Sequence, residues 1–304
     1  MLSIRNNKNR YYKDVIVDTF PNGEINFSKK NIDYLKLFDK SNKPTIFFKW
    51  ENDSSLIELY LFSKYLEQYN LLNIIRDLEI AYLPYSRMDR IENGNIYSLK
   101  YISELINSLG YAKVRIHEPH TFDIYELINN AEDLPTTLNL LQYYLIENNI
   151  TKPFTIVLPD KGAYKRYVEK LRKVLDNFNY KYSIIHCKKE RDFETGKIKK
   201  IRVDNDSEIV YNKCIIIDDL VSYGGTFIGC KNALNNLGVV DVDLIVTHAE
   251  YAILNGKLLS SDFNNIVATN SMLPFNDTQL KVFKYKADTI AQDTNFEIKD
   301  IKNY

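Results

Sequence analysis

The chain has 304 residues, 45% hydrophobic and 26% charged, and its 40 basic and 40 acidic side chains leave a formal net charge of zero. That length suits two domains of about 150 residues, each able to bury its own core. The neutral balance excludes a global field that gathers nucleic acid or an anionic membrane, so an anionic ligand needs local cationic and backbone-amide sites.

In chain order, the opening MLSIRNNKNRYYKD is polar and lacks the apolar core of a signal peptide, and no later run reaches the roughly 18 apolar residues of a membrane helix. Short β-branched runs then alternate with longer helical patterns: DVIVDTF (14–20), TIFFKW (45–50), LEIAYLP (78–84), KVRIHE (113–118), FTIVLP (154–159), YSIIHC (182–187), KCIIIDD (213–219), DLIVTH (243–248) and NIVATN (265–270). Nearly continuous apolar strands separated by helices predict βαβ units with parallel sheets covered on both faces. Among the helices, SSLIELYLFSKYL places Leu59, Phe62 and Leu66 on one face, and Ser55 with Glu58 reads as a capping box. A break is expected at ENNITKP, where an Asn-rich helix end meets a proline before a fresh strand. The expected division is therefore 1–149 and 150–285, with 286–304 returning to the first domain. Cys187, Cys214 and Cys230 have no C-x-x-C spacing, which argues for reduced thiols rather than a zinc site or disulfide frame.

The segment CIIIDDLVSYGGTFIGC (214–230) carries the most chemistry. An apolar strand ends in Asp218 and Asp219, Leu220 to Tyr223 make a short turn, and Gly224, Gly225 and Thr226 lead into a helix. Ligands of open α/β sheets bind beyond the carboxyl ends of strands. Glycines let backbone amides approach a phosphate, and a helix N-terminus adds partial positive charge. The acids suit the vicinal hydroxyls of a ribose, or a Mg²⁺ bridging to phosphate. The segment resembles the phosphoribosyl-diphosphate loop of type I phosphoribosyltransferases and of ribose-phosphate diphosphokinases, with Ser222 and Tyr223 where the family places a small hydroxyl residue before the glycines.

Other segments resemble the diphosphokinases in particular. PYSRMDR (84–90) is similar to their ATP-contacting segment, which implies ATP binding by Arg87, Met88, Asp89 and Arg90, with Met88 standing where the family has Gln. HEPHTFD (117–123) resembles the segment whose acid and histidine lie at the Mg-ATP site, implying roles for Glu118 and His120, with His117 the competing histidine. FPNGE (20–24) resembles the loop that reaches a neighbouring subunit's ATP pocket through Phe20, Asn22 and Glu24, Asn22 replacing the usual acid. PDKGAYKR (159–166) is similar to the loop for diphosphate and metal and contributes Asp160, while KKERDFETGKI resembles the catalytic loop, with Lys189 and Arg191. The matches run collinearly from about residue 20 to 272.

The resemblance implies two tandem type I phosphoribosyltransferase-like α/β domains. It also implies Mg²⁺-dependent transfer of the diphosphoryl group of ATP to the 1-hydroxyl of a 5-phosphorylated ribose, releasing AMP. Lys189, Arg191 and His120 would be catalytic; His120, Glu118 and Asp160 would serve the metal. Asp218, Asp219, Ser222, Tyr223, Gly224, Gly225 and Thr226 would bind the sugar phosphate. The acceptor is either ribose 5-phosphate or ADP-ribose, the latter as in a phage-associated branch that rebuilds NAD⁺, where an aromatic Tyr223 could stack on the added adenosine. A homo-oligomer, dimer or hexamer, and a cytoplasmic setting (the host's, for a phage-encoded copy) are implied as well. A nucleotide-sensing regulator with the same fold and a phosphoribosyltransferase are the competing readings.

Overall fold

The computed structural model describes residues 1–6, 11–38, 44–91, 94–191, 198–204, 209–273 and 282–285. Two compact units divide the chain, Met1–Pro135 and Thr136–Tyr304.

The first unit holds strands β1 (Leu2–Asn6), β2 (Tyr11–Asp14), β3 (Val17–Thr19), β4 (Ile25–Phe27), β5 (Thr45–Phe48), β6 (Asp77–Ile80), β7 (Lys113–His117) and β8 (Ala131–Leu134). Helices α1 (Lys29–Leu35), α2 (Ser54–Gln68), α3 (Ser98–Asn107) and α4 (Ile124–Leu127) connect them. Six strands form one sheet in the order β2-β1-β5-β6-β7-β8. From β5 to β8 the pairing is parallel, while β1 is antiparallel to both neighbours. The opening residues thus form an interior strand, which their polar look concealed. Leu2 and Ile4 are buried there, and so is Arg5, because its guanidinium has a buried partner described below. The expected strand 14–20 is split between β2 and β3, and β3 and β4 form a separate hairpin.

Helix α2 buries Leu59, Phe62 and Leu66 as its spacing predicts. The capping box does not form. Asp53 is the N-cap, and the Ser55 hydroxyl instead accepts from the Glu51 and Asn52 amides at 3.3 and 3.4 Å.

The second unit contains β9 (Phe154–Leu158), β10 (Tyr182–Arg191), β11 (Ile198–Asp204), β12 (Lys213–Val221), β13 (Asp241–Ala249), β14 (Ile266–Thr269) and β15 (Val282–Tyr285). Its helices are α5 (Thr136–Glu147), α6 (Lys161–Asn177) and α7 (Gly225–Asn235). The sheet order is β11-β10-β9-β12-β13-β14-β15, parallel except for the β10–β11 hairpin. Strand β9 and residues 214–217 of β12 are buried throughout, as expected of strands covered on both faces.

The units part at Pro135, so the break expected at 147–153 falls inside the second one. The reason is α5, whose Leu138, Leu140, Leu141, Tyr144 and Leu145 join the core of the second sheet. Strand β15 pairs with β14 there too; residues 286–304 lie outside the described residues. Strand β10 runs past its parallel partner: pairing with β9 ends at His186, while pairing with β11 continues to Arg191. All three cysteines are buried free thiols. Among the described residues no helix is long and apolar enough to cross a membrane.

Candidate active site

In the second unit, β12 pairs with β13 at Asp218 and again at Leu220 and Val221, two residues beyond the expected strand end. Asp219 is buried and Asp218 half-buried, side by side, and the Asp219 amide donates to Asp218 Oδ1 at 3.0 Å. Burial first, then the charge and hydrogen bond of Asp219, push the Asp218 carboxyl well above the usual carboxylate range; Asp160 adds to the push. Arg166 of α6 faces Asp219, its Nη1 lying 3.4 Å from Asp219 Oδ2.

After Val221 the chain turns. Ser222 is partly exposed, Tyr223 is 64% exposed, and Gly224 takes φ +83°, a left-handed conformation that glycine adopts without penalty. Gly224 is the N-cap of α7 and supplies no side-chain acceptor, so the first-turn amides at Gly225 and Thr226 are uncapped by a side chain and suited to an anion.

In the same sheet, β9 leads to Asp160, the N-cap of α6. One carboxylate oxygen accepts the Ala163 amide at 3.0 Å and the other accepts from Lys189 Nζ at 2.6 Å. Burial works against the charged form, yet Lys189 and the Ala163 and Gly162 amides hold the carboxyl below its usual range. A Cβ on Gly162 would sit 3.1 Å from Asp160 Oδ1, so the glycine makes room for this arrangement. Lys189 reaches Asp160 from β10. Arg191 is the last residue of that strand, paired with Ile198 through its backbone; its side chain lies outside what is described.

In the first unit, the hairpin tip FPNGE exposes Phe20 and closes with the Glu24 carbonyl accepting from the Phe20 amide at 2.8 Å. Asn22 Oδ1 accepts the Glu24 amide at 3.1 Å, so Asn22 shapes the turn itself. PYSRMDR is a turn after β6. Tyr85 stands at φ +62°, its hydroxyl donating to Asp53 Oδ1 at 2.7 Å, while Arg87, Met88 and Arg90 are exposed and Asp89 pairs with Arg90 at 3.3 Å. Glu118, just past β7, is buried at φ +40°, and His120 is half-buried. Two bulky side chains held in a left-handed conformation at adjacent strand ends mark strain that the surroundings enforce.

The two histidines differ in burial and contacts. His117 is a buried strand-end residue whose Nε2 lies 3.0 Å from Glu79 Oε1, while Arg5 Nη1 donates to Glu79 Oε2 at 2.9 Å. Burial would raise Glu79, but the hydrogen bond and charge of His117, with Arg5 and Arg115, hold it below the usual range. His117 is thus engaged in the core, which leaves His120 the histidine of this segment that reaches solvent. Among the described residues no group of three or more His, Cys, Asp or Glu is placed to hold a metal ion by itself.

Sequence reading missed Arg166. It stands in the quoted PDKGAYKR segment, but among neighbouring lysines it looks like part of a solvated helix face; only the fold brings it to Asp219.

An acid pair, a left-handed glycine and an uncapped helix N-terminus at the carboxyl end of a parallel strand, in the second of two α/β units, define a two-domain phosphoribosyltransferase-like protein. A solved structure of phosphoribosylpyrophosphate synthetase from Mycobacterium smegmatis shares this fold, with TM-score 0.64, 19% identity, and coverage of 96% of this chain and 91% of that one. No protein-family model matches the chain. Curated relatives include the ribose-phosphate pyrophosphokinase of Pyrococcus abyssi, 27% identical over 282 residues, which span 90% of this chain and 88% of the relative. That of Sulfurisphaera tokodaii is 30% identical over 198 residues, 64% of each chain. The chain is thus similar in sequence to ribose-phosphate pyrophosphokinases over most of its length, and in fold to a phosphoribosylpyrophosphate synthetase.

Proposed function

We propose that the chain transfers the β,γ-diphosphoryl group of ATP to the anomeric 1-hydroxyl of a 5-phosphorylated ribose. The new bond joins the sugar oxygen to the β-phosphorus, the α–β bridge breaks to release AMP, and the hydroxyl proton leaves to solvent. The observation that carries this reading is the adjacent acid pair of β12 followed directly by the uncapped amides of α7. Acids repel phosphate, but they accept from ribose hydroxyls, while the amides one turn further on suit the 5-phosphate. Under this reading Asp218 and Asp219 orient the sugar, and Gly224, Gly225 and Thr226 cradle its phosphate. Lys189 and Arg191 stabilise charge on the transferred group. Arg87, Met88, Asp89, Arg90 and His120 serve ATP. Phe20, Asn22 and Glu24, on an exposed hairpin tip, complete the ATP pocket of another copy in a homo-oligomer.

Magnesium fits the donor chemistry. Asp160, Asp218 and Asp219 crowd oxygen-donor negative charge at one corner of the second sheet, and Mg²⁺ is typically held by one or two carboxylates together with substrate phosphates. Asp160 would be a metal ligand within the second unit, and Glu118 with His120 are the metal-site candidates within the first. When bound, the ion neutralises phosphate charge.

Ribose 5-phosphate is the acceptor that the relatives' printed names supply. The 64% exposure of Tyr223 beside the phosphate end favours a second acceptor, ADP-ribose, whose 5-phosphate carries an aromatic extension. The test is AMP release from Mg-ATP with each acceptor offered separately. AMP with either supports the reading and names the acceptor; AMP with neither overturns it and points to a nucleotide-sensing regulator.

A further inference from the structure

Behind the sugar loop runs a segment that neither chemistry nor resemblance has given a task. From β13 the chain is tied to β12 once more, the Glu250 amide donating to the Val221 carbonyl at 2.9 Å. It then makes a tight 3-10 turn, Tyr251–Asn255, pinned by the fully buried Ile253, and returns under the loop at Gly256 and Leu258. The approach is as close as polypeptide allows. A Cβ on Gly256 would lie 2.3 Å from the Tyr223 carbonyl oxygen, 3.0 Å from its carbon and 3.2 Å from the Tyr223 Cα. Next along, a Cβ on Gly224 would lie 2.5 Å from Leu258 Cβ and 2.8 Å from Leu258 Cδ2. Leu258 itself is fully buried.

This contact fixes a direction. A trans peptide is planar, with its C=O and N–H pointing to opposite sides. The Tyr223 carbonyl faces Gly256, so the N–H of the same peptide unit, which belongs to Gly224, faces away from the wall. The wall also excludes one face of the loop from solvent, leaving the Tyr223 ring to project outward.

We propose that Gly256, with Leu258 beside it, is a positioning residue for the acceptor. Its missing side chain lets the 250–258 segment clamp the Tyr223–Gly224 peptide so that the Gly224 amide is preset toward the 5-phosphate. The proposal rests on the acceptor site assigned above. A preset amide saves the ordering cost that a loose loop would incur on binding. A methyl at 256 cannot be absorbed by a flexible side chain, because its obstacle is backbone; the peptide must rotate or shift.

The test is steady-state AMP release by Gly256→Ala, with whichever acceptor the wild-type chain uses. The Michaelis constant for that acceptor should rise at least tenfold, while that for ATP stays within twofold. Gly110→Ala, at φ +78° in the first unit with no atom closer than 3.8 Å, is the control for general strain and should lose thermal stability without changing the acceptor constant. If Gly256→Ala does not fold, Leu258→Ala removes the wall behind Gly224 without inserting an atom, and should raise the acceptor constant severalfold. An active Gly256→Ala or Leu258→Ala enzyme with an unchanged acceptor constant, or with an equal rise for ATP, overturns the proposal and leaves the assigned reaction standing. A wild-type chain silent with both acceptors sinks the reaction instead.

Discussion

Each unit sets a carboxylate in its sheet, buried at Glu79 and half-buried at Asp218, and the two meet opposite surroundings. Glu79 in the first unit has Arg5 on one oxygen and His117 on the other, and its carboxyl is held low. Asp218 in the second unit has another acid as its neighbour, and its carboxyl is pushed high. The second sheet can also balance a buried acid: Asp243 is ion-paired with Lys213 and receives the Tyr144 hydroxyl at 2.6 Å and Asn265 at 3.0 Å. Lack of compensation at Asp218 is therefore local. A balanced buried charge belongs to the fold, whereas a carboxyl pushed high at the end of a strand is a candidate for a functional site.

The comparison can be broken where it bears on chemistry. Replacing Lys189 and Arg191 together with Ala should lower the rate of AMP release at saturating substrates by about a thousandfold or more, given about a hundredfold or more for each charge-stabilising group. A loss under about tenfold would remove the transition-state role from the hairpin.

On the fold side, Glu79→Ala should cost about 3–5 kcal/mol in urea unfolding, because it removes the buried carboxylate that Arg5 and His117 both face. The pH dependence has a definite sign. Glu79 is held below its unfolded value, so its contribution is fully present above about pH 4.3 and is lost as pH falls through the folded value. Wild-type stability should decline in that acidic window more steeply than that of Glu79→Gln; equal slopes would show that Glu79 is not compensated as described.

Asp218→Asn should do the reverse of Glu79→Ala. Removing a repelled acid should stabilise the second unit by about 1 kcal/mol while weakening acceptor binding, a trade expected of a binding site but not of a structural acid. A loss of stability would place Asp218 in the same class as Glu79. The smallest effect belongs to Tyr223→Ala, which should lower the preference for ADP-ribose over ribose 5-phosphate by about fivefold, the worth of one aromatic contact of about 1 kcal/mol. An unchanged ratio would mean that the exposed ring touches no acceptor.

Much of the parallel core was legible, because fully covered strands such as FTIVL and CIII leave continuous apolar runs. The elements that escaped are those whose warrant lies far away in the chain. Strand β1 looked polar because Arg5 interrupts it, and its partner Glu79 is 74 residues distant. Strand β8, AEDL, has acids where an apolar run was sought. The extra length of β10 exists only through pairing with β11. The boundary was placed at an Asn-rich helix end, when what decides the division is which core receives the leucines of α5. In the candidate site, the Asp218–Thr226 loop could be read because its neighbours in sequence are its neighbours in space. Arg166 and Gly256 could not, since each acts on the loop from another element.

The overhang of β10 beyond β9 has a mechanical consequence for Lys189. Past His186, among the described residues, the strand pairs with β11 alone, and two-stranded ribbons twist more strongly than sheet interiors. Lys189 therefore rides near the free end of a cantilever rooted in the sheet. Any flexure of that hydrogen-bonded ribbon would carry the backbones of Lys189 and Arg191 together along one arc.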